Sequence, residues 1–275
     1  MATALSTLRQ QVARLLGAGD AAMFTGTPAA TFSTTGFTCA ALGPYETSYF
    51  VDWWLRFYSG THKDTTKIVT AFTTSTGAFV FTSALGSAVD ATDLFEVHRD
   101  YAPEELNDAI NLAIRMVQDE FLEDKIDETL VVAASTWEYA IPTAFYTLQN
   151  VYQEESIANQ YSFSKGNAGL LDAEKQWRIV GNQGSRKLWF DPHYSVLVTD
   201  RNLRLEGQAQ PSTLTLDADT TNVPAAYLIN QAASILHLSR SGEVTKAHTQ
   251  QAKMFQDLAD RERAKLRVNP FGWRV

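Results

Sequence analysis

The sequence predicts an α+β protein in which a helical bundle is interrupted by two antiparallel β excursions, each a small barrel or sandwich. Three observations carry this. Apolar residues recur at helical spacing in three separated stretches: the N-terminus, 102–124 and 223–267. Between these lie two long tracts of short Thr-, Ser- and aromatic-rich runs separated by turn residues, the pattern of strands. A lone amphipathic helix cannot bury its own stripe, so the helical stretches are expected to pack together. The plan is then a bundle from 1–19, 100–126 and 222–267, a β insertion at 20–99, a second β domain at 127–221 and a C-terminal extension at 268–275.

Residues 3–17 place Leu5, Leu8, Val12, Leu15 and Leu16 on one helical face, ended by Gly17 and Gly19. Strand-like runs follow at DWWLRFYSG (52–60), TKIVTAFT (66–73), GAFVFTSAL (77–85) and DLFEVHR (93–99), with THKD (61–64) and TSTGA (74–78) as turns. In YAPEELNDAINLAIRMVQDEFLED (101–124), Pro103 suits a first turn and Glu104 and Glu105 suit the positive end of the dipole. Leu106, Ile110, Ala113, Ile114, Val117 and Phe121 form its stripe. Residues 129–216 return to strands, and Leu203, Leu205, Leu214 and Leu216 keep alternate spacing. After Thr221 and Asn222, either able to cap, Pro224 opens a helical period through Leu228, Ala232, Ile235 and Leu236, interrupted at Ser241–Gly242.

Composition narrows the function. With 45% hydrophobic and 20% charged residues the chain is globular, and no apolar run approaches the roughly 20 residues that cross a bilayer. The N-terminal MATALSTLRQQVARLLG has Arg9 and Arg14 inside its helical period, so a secretory signal is not expected. The single cysteine, Cys39, allows no internal disulfide and fits a reducing compartment. Residues 240–275 hold eight Lys/Arg against four acids, a local net of +4, so residues 1–239 carry −12 of the chain's −8 total. An acidic body repels nucleic acid, while a basic tail suits an acidic partner or simply complements a helix dipole.

Motifs for catalysis are absent. No glycine-rich phosphate loop occurs, and His62, His98, His193, His237 and His248 are scattered without metal-ligand spacing. His237, between Leu236 and Leu238 on a predicted helix, reads as an ordinary packed or solvated side chain and not as a ligand. The FDPH segment (190–193) offers Asp191 and His193, but Asp-Pro is ordinary turn chemistry. Glu104 with Glu105, and Glu154 with Glu155, are adjacent and not facing carboxylates.

The order of a short N-terminal helix, a β insertion with WWLRFYSG and DATDLFEVHRDYAPEELNDAINLAIR, a second excursion closing with LRLEGQAQPSTLTLDADTTNVPAAYLINQAA, and a charged helix ending in NPFGWRV resembles the head–tail connector, or adaptor, proteins of tailed bacteriophages. The resemblance implies a non-enzymatic structural protein of the virion neck, made in the host bacterial cytoplasm, with no cofactor and no membrane. It implies a homo-oligomeric ring beneath the portal, matching its twelve-fold symmetry, with the tail or a second neck protein as the other partner. Double-stranded DNA passes through the lumen without specific binding. Smaller members are mostly helical with one modest β element, so two excursions are a departure.

The resemblance also implies that the C-terminal extension, Asn269, Pro270, Phe271, Gly272, Trp273, Arg274 and Val275, reaches the portal. In an extended segment Phe271 and Trp273 point to one side, and aromatic anchors with an Arg dominate interfaces. In the last helix Asp257, Asp260, Arg261, Glu262, Arg263, Lys265 and Arg267 interleave signs, predicting mixed ion pairs between neighbouring subunits and no continuous basic stripe. The alternative is a carbohydrate- or receptor-binding β module of a phage tail, in which strand aromatics such as Trp53, Trp54, Trp137, Trp177 and Trp189 would stack on sugars.

Overall fold

A computed structural model describes residues 2–17, 22–30, 32–155, 171, 176–182, 184–195, 197–240 and 245–266. The chain forms two compact units, Met1–Glu120 with Ser212–Val275, and Phe121–Pro211. The first begins with β1 (Thr3–Ala4) and α1 (Leu5–Leu16), then β2 (Met23–Gly26), β3 (Gly36–Thr38), β4 (Trp54–Phe57), β5 (Thr65–Thr73), β6 (Ala78–Phe81), β7 (Phe95–His98) and α2 (Pro103–Val117). The second supplies β8 (Glu123–Val131), β9 (Glu138–Ala140), β10 (Thr147–Gln153), β11 (Trp177–Val180), β12 (Lys187–Phe190) and β13 (Asn202–Ala209). The chain returns to the first unit as β14 (Thr220–Thr221), α3 (Ala225–Ser239) and α4 (Thr245–Leu266).

This architecture overturns the predicted helical bundle with two small β excursions. Among the described residues the protein is mostly sheet, with four sheets accompanying four α-helices. One reason is that the helix predicted over 102–124 stops at Val117. Asp119, Glu120, Glu123 and Asp124 would crowd the negative end of its dipole, and Glu123–Val131 instead pairs with β13. A second reason is that two large apolar clusters sit on strands and their connecting loops, so the sheets carry cores of their own beside the residues that the helices bury.

In the first unit six antiparallel strands run in the order β2-β7-β4-β5-β6-β3. A bridge between Ala30 and Thr38 ties the chain after β2 to β3, joining the two ends of that order. Two hairpins fix the register of the centre. Asp64 in the β4–β5 turn and Ser75 and Gly77 in the β5–β6 turn adopt left-handed backbone. At Gly77 a Cβ would lie 2.0 Å from the Cys39 carbonyl oxygen, so only glycine fits. The sheet encloses an aromatic core that includes Phe37, Phe50, Phe57, Phe72, Phe79 and Phe95, with ring centroids 4.7 Å apart for Phe37–Phe95 and 4.8 Å for Phe50–Phe72.

The helices of this unit centre on α3, which packs on α1, α2 and α4. It buries Tyr227, Leu228, Ala232, Ala233 and Ser234, so most of its circumference is covered. The stripe of α2 is buried as its periodicity predicts, and Glu105 Oε2 accepts the Ala102 N–H at 3.1 Å to close its first turn. No helix among the described residues is long and apolar enough to cross a membrane.

The second unit holds two antiparallel three-stranded sheets, β10-β13-β8 and β11-β12-β9. Leu203 and Leu205 point inward from β13 and join Val151, Leu188 and Phe190 in its core. The alternate spacing does not continue to Leu214 and Leu216. Pro211 has no N–H to extend the ladder, and residues 210–219 form a loop, back in the first unit from Ser212, that buries Leu214 and exposes Leu216.

Candidate assembly interface

The last two helices form an antiparallel hairpin whose inner face is set by small residues. Ala252, Phe255 and Ala259 of α4 are buried, and Ser234 Oγ of α3 donates to the Ala252 carbonyl at 3.0 Å. Gln231 Nε2 donates to Gln256 Oε1 at 3.0 Å. Where the end of α3 meets the start of α4, His237 Nδ1 lies 3.2 Å from His248 Nδ1, one carrying the proton that the other accepts, and Phe255 stacks on His237 with centroids 5.5 Å apart. Burial, then His248 and Arg240, push the His237 pKa down, so the His237 imidazole is uncharged near neutral pH. His237 is therefore packed, as its helical setting suggests. Its pairing with His248 is not visible in local spacing, because it depends on α3 and α4 packing against each other.

Three of the eight basic side chains of this region, Arg240, Arg263 and Lys265, are engaged within the chain. Arg240 donates through Nη2 to the Asp100 carbonyl and lies 3.9 Å from the Tyr101 ring centroid. Arg263 Nε donates to Glu120 Oε2 at 2.7 Å and Nη2 to Glu120 Oε1 at 2.5 Å, a two-pronged tie from α4 to the end of α2. Lys265 pairs with Glu262 one turn away, and Asp260 accepts from Gln256. Lys253, Asp257 and Arg261 stay exposed with no ion pair among the described residues, beside exposed Met254 and Leu258. These five, with Gln250, border a shallow depression of about 370 Å³ along the outward face of α4. Arg267 and the whole segment from Asn269 to Val275 lie outside the described residues.

A buried charge cluster links α1, α2 and the loop before β14 to the six-stranded sheet. Arg9 of α1 is fully buried; its Nε donates to Glu96 of β7, and its Nη1 to Asp217 Oδ1 at 2.5 Å and Asn107 Oδ1 at 3.0 Å. Arg56 of β4 donates to both oxygens of the same Asp217, at 3.0 and 3.1 Å, and to Asp64 and Glu104 at 3.3 Å. His98 Nε2 is 3.1 Å from Glu96 Oε1. Burial pushes the Glu96 carboxyl up, but His98 and Arg9 outweigh it and hold the pKa at about 2. Sequence reasoning missed this cluster. The available signal was that Arg9 falls four residues after Leu5, on the same face as Leu8 and Val12.

The constellations weighed for chemistry fall to structural roles. Asp191 Oδ1 accepts the His193 N–H at 2.8 Å, which is turn geometry. No group of three or more His, Cys, Asp or Glu among the described residues could hold a metal. Of the strand aromatics, Trp53, Tyr139, Phe145, Tyr152 and Trp177 are buried, while Trp189 is half-buried beneath Arg178 at 4.3 Å.

A family model described as SU10 adaptor protein matches residues 82–271, more than half of the chain. No curated protein matches it.

Proposed function

Because this chain belongs to the SU10 adaptor protein family, a family of phage head–tail adaptors, we propose that it assembles as a ring between portal and tail. As a phage adaptor it is a structural component of the virion that works through other head and tail proteins. In this reading the protein is made in the host cytoplasm, takes the portal's twelve-fold symmetry and lets double-stranded DNA through its lumen. The observation that carries it is the family match, which takes in α2, the whole second unit, α3 and α4. The mixed charges on α4 support it as well, since a face with Lys253, Asp257 and Arg261 interleaved suits a protein neighbour better than a polyanion.

The portal contact is assigned to Asn269–Val275, where Phe271 and Trp273 are separated by one glycine and followed by Arg274. Deleting residues 268–275 is expected to leave the melting of the protein unchanged and to abolish co-sedimentation with purified portal complexes. Unchanged co-sedimentation would refute the assignment.

A further inference from the structure

The histidine pair that joins α3 to α4 has the spacing of two ligands on one metal ion. His237 Nδ1 and His248 Nδ1 are 3.2 Å apart. Two imidazole nitrogens held at 2.0–2.1 Å by a tetrahedral zinc ion stand about 3.3–3.4 Å from each other, so the observed separation is within a few tenths of an ångström of that bite. His237 is only 4% exposed and its ring lies parallel to Phe255, with the planes 6° apart, so one ligand is fixed before any ion arrives. His248 is half-buried, which leaves the outer side of the pair open to solvent.

The geometry points to a transition-metal site at this junction, in which one divalent ion of the zinc, nickel or copper class bridges His237 and His248 and ties the last helix to α3. The ion takes the place of the proton that the two nitrogens share. The ring that carried it becomes the Nε2–H tautomer by exchange with solvent, so at neutral pH no net proton is released. Neutral imidazole suits these metals, whereas magnesium and calcium prefer oxygen ligands. No third His, Cys, Asp or Glu joins the pair among the described residues, so the chain supplies two ligands and water fills the remaining positions.

Arg240 is the charge that opposes an ion here, since it acts on His237. Its guanidinium is turned to the Asp100 carbonyl and the Tyr101 ring, and Glu105 Oε2 lies 3.9 Å from its Nη2, so much of that charge is already answered. The other three histidines offer no such bite. His62 Nε2 lies 3.9 Å from Asp93, His98 is buried beside Glu96, and His193 is exposed in a turn.

Zinc chloride titrated into the full chain tests this, followed by scanning calorimetry and by long-range proton–nitrogen spectra of the imidazoles. At about ten times its dissociation constant, zinc is expected to raise the ratio of folded to unfolded chain about elevenfold, a rise of roughly 3–6 °C in the melting of a body the size of the first unit. The Nδ1 resonances of His237 and His248 should shift together while those of His62, His98 and His193 stay in place. Magnesium chloride should do neither. His248→Ala, at a half-buried position, should lose the zinc-dependent rise, and the spectra of the unaltered chain decide the same question without a variant. A rise that persists in His248→Ala, zinc shifts confined to other histidines, or no change at millimolar zinc would each overturn the site. None of these results bears on the ring reading, which co-sedimentation with portal decides separately.

Discussion

Replacing Arg9 by methionine tests the central electrostatic argument, because it keeps most of the apolar stem and removes only the guanidinium. The variant leaves Glu96 at 0% exposure with His98 Nε2 as its remaining side-chain partner, and Asp217 dependent on Arg56. An exposed ion pair would cost about 0–1 kcal/mol to break, whereas breaking a buried one leaves an uncompensated charge and costs about 3–5 kcal/mol. For a body the size of the first unit that is a fall in melting temperature of roughly 6–20 °C. Calorimetry with hydrogen exchange on peptides from β7 and α2 reads it. The pH dependence has a fixed sign. The Glu96 pKa is depressed on folding from 4.5 to about 2, so its stabilisation is complete above the unfolded value and fades as pH falls from about 4.5 toward 2. The variant has already lost much of that contribution, so the gap between the two proteins should narrow on acidification. A deficit under about 1 kcal/mol at neutral pH, or a gap that widens in acid, would refute the reasoning.

Two further outcomes are expected. The isolated protein should bind double-stranded DNA weakly at physiological salt, since residues 1–239 carry −12 and Arg240, Arg263 and Lys265 are engaged within the chain; a tight gel shift that dissolves with salt and disappears on changing Lys253 and Arg261 would contradict this. A fragment limited to residues 82–271 should fail to show the cooperative melting of the first unit, and a normal transition for that fragment would show that Arg9 and Arg56 are dispensable.

Elements whose signals are local were legible in the sequence. Pro103, Glu104, Glu105 and the Leu106–Val117 stripe define α2, and the strand runs around Trp54–Phe57, Thr65–Thr73 and Phe95–His98 lie where alternation places them. The fold class was not legible, because the argument that helices need each other for burial left out how much the strands bury among themselves. Leu214 and Leu216 kept a strand's spacing by coincidence in a loop. Of the candidate interface, the sign alternation on α4 was readable, while the capture of Arg263 by Glu120 was not, since 143 residues separate the partners. The role of Arg9 was not legible for the same reason: its acids lie 87 and 208 residues away, and a helical wheel shows only that a cation sits on an apolar face.

That long reach bears on how the matched region works. Glu96 and Asp217 both fall inside residues 82–271, yet the two guanidinium groups that compensate them, Arg9 and Arg56, both fall outside it. Inside the stretch, among the described residues, the one basic side chain paired with either acid is His98, beside Glu96. Two buried carboxylates without guanidinium partners are costly enough to unfold a domain whose net stability is only about 5–15 kcal/mol. The first helix and β4 are thus part of the same compact unit as the portions of the family region that lie in the first unit, and not an appendage to them. The pairing of β1 with β14 directly before α3 has the same consequence, because it fixes the N-terminus to the segment that launches the α3–α4 hairpin. Any assembly contact made by α4 is therefore held in place from the other end of the chain.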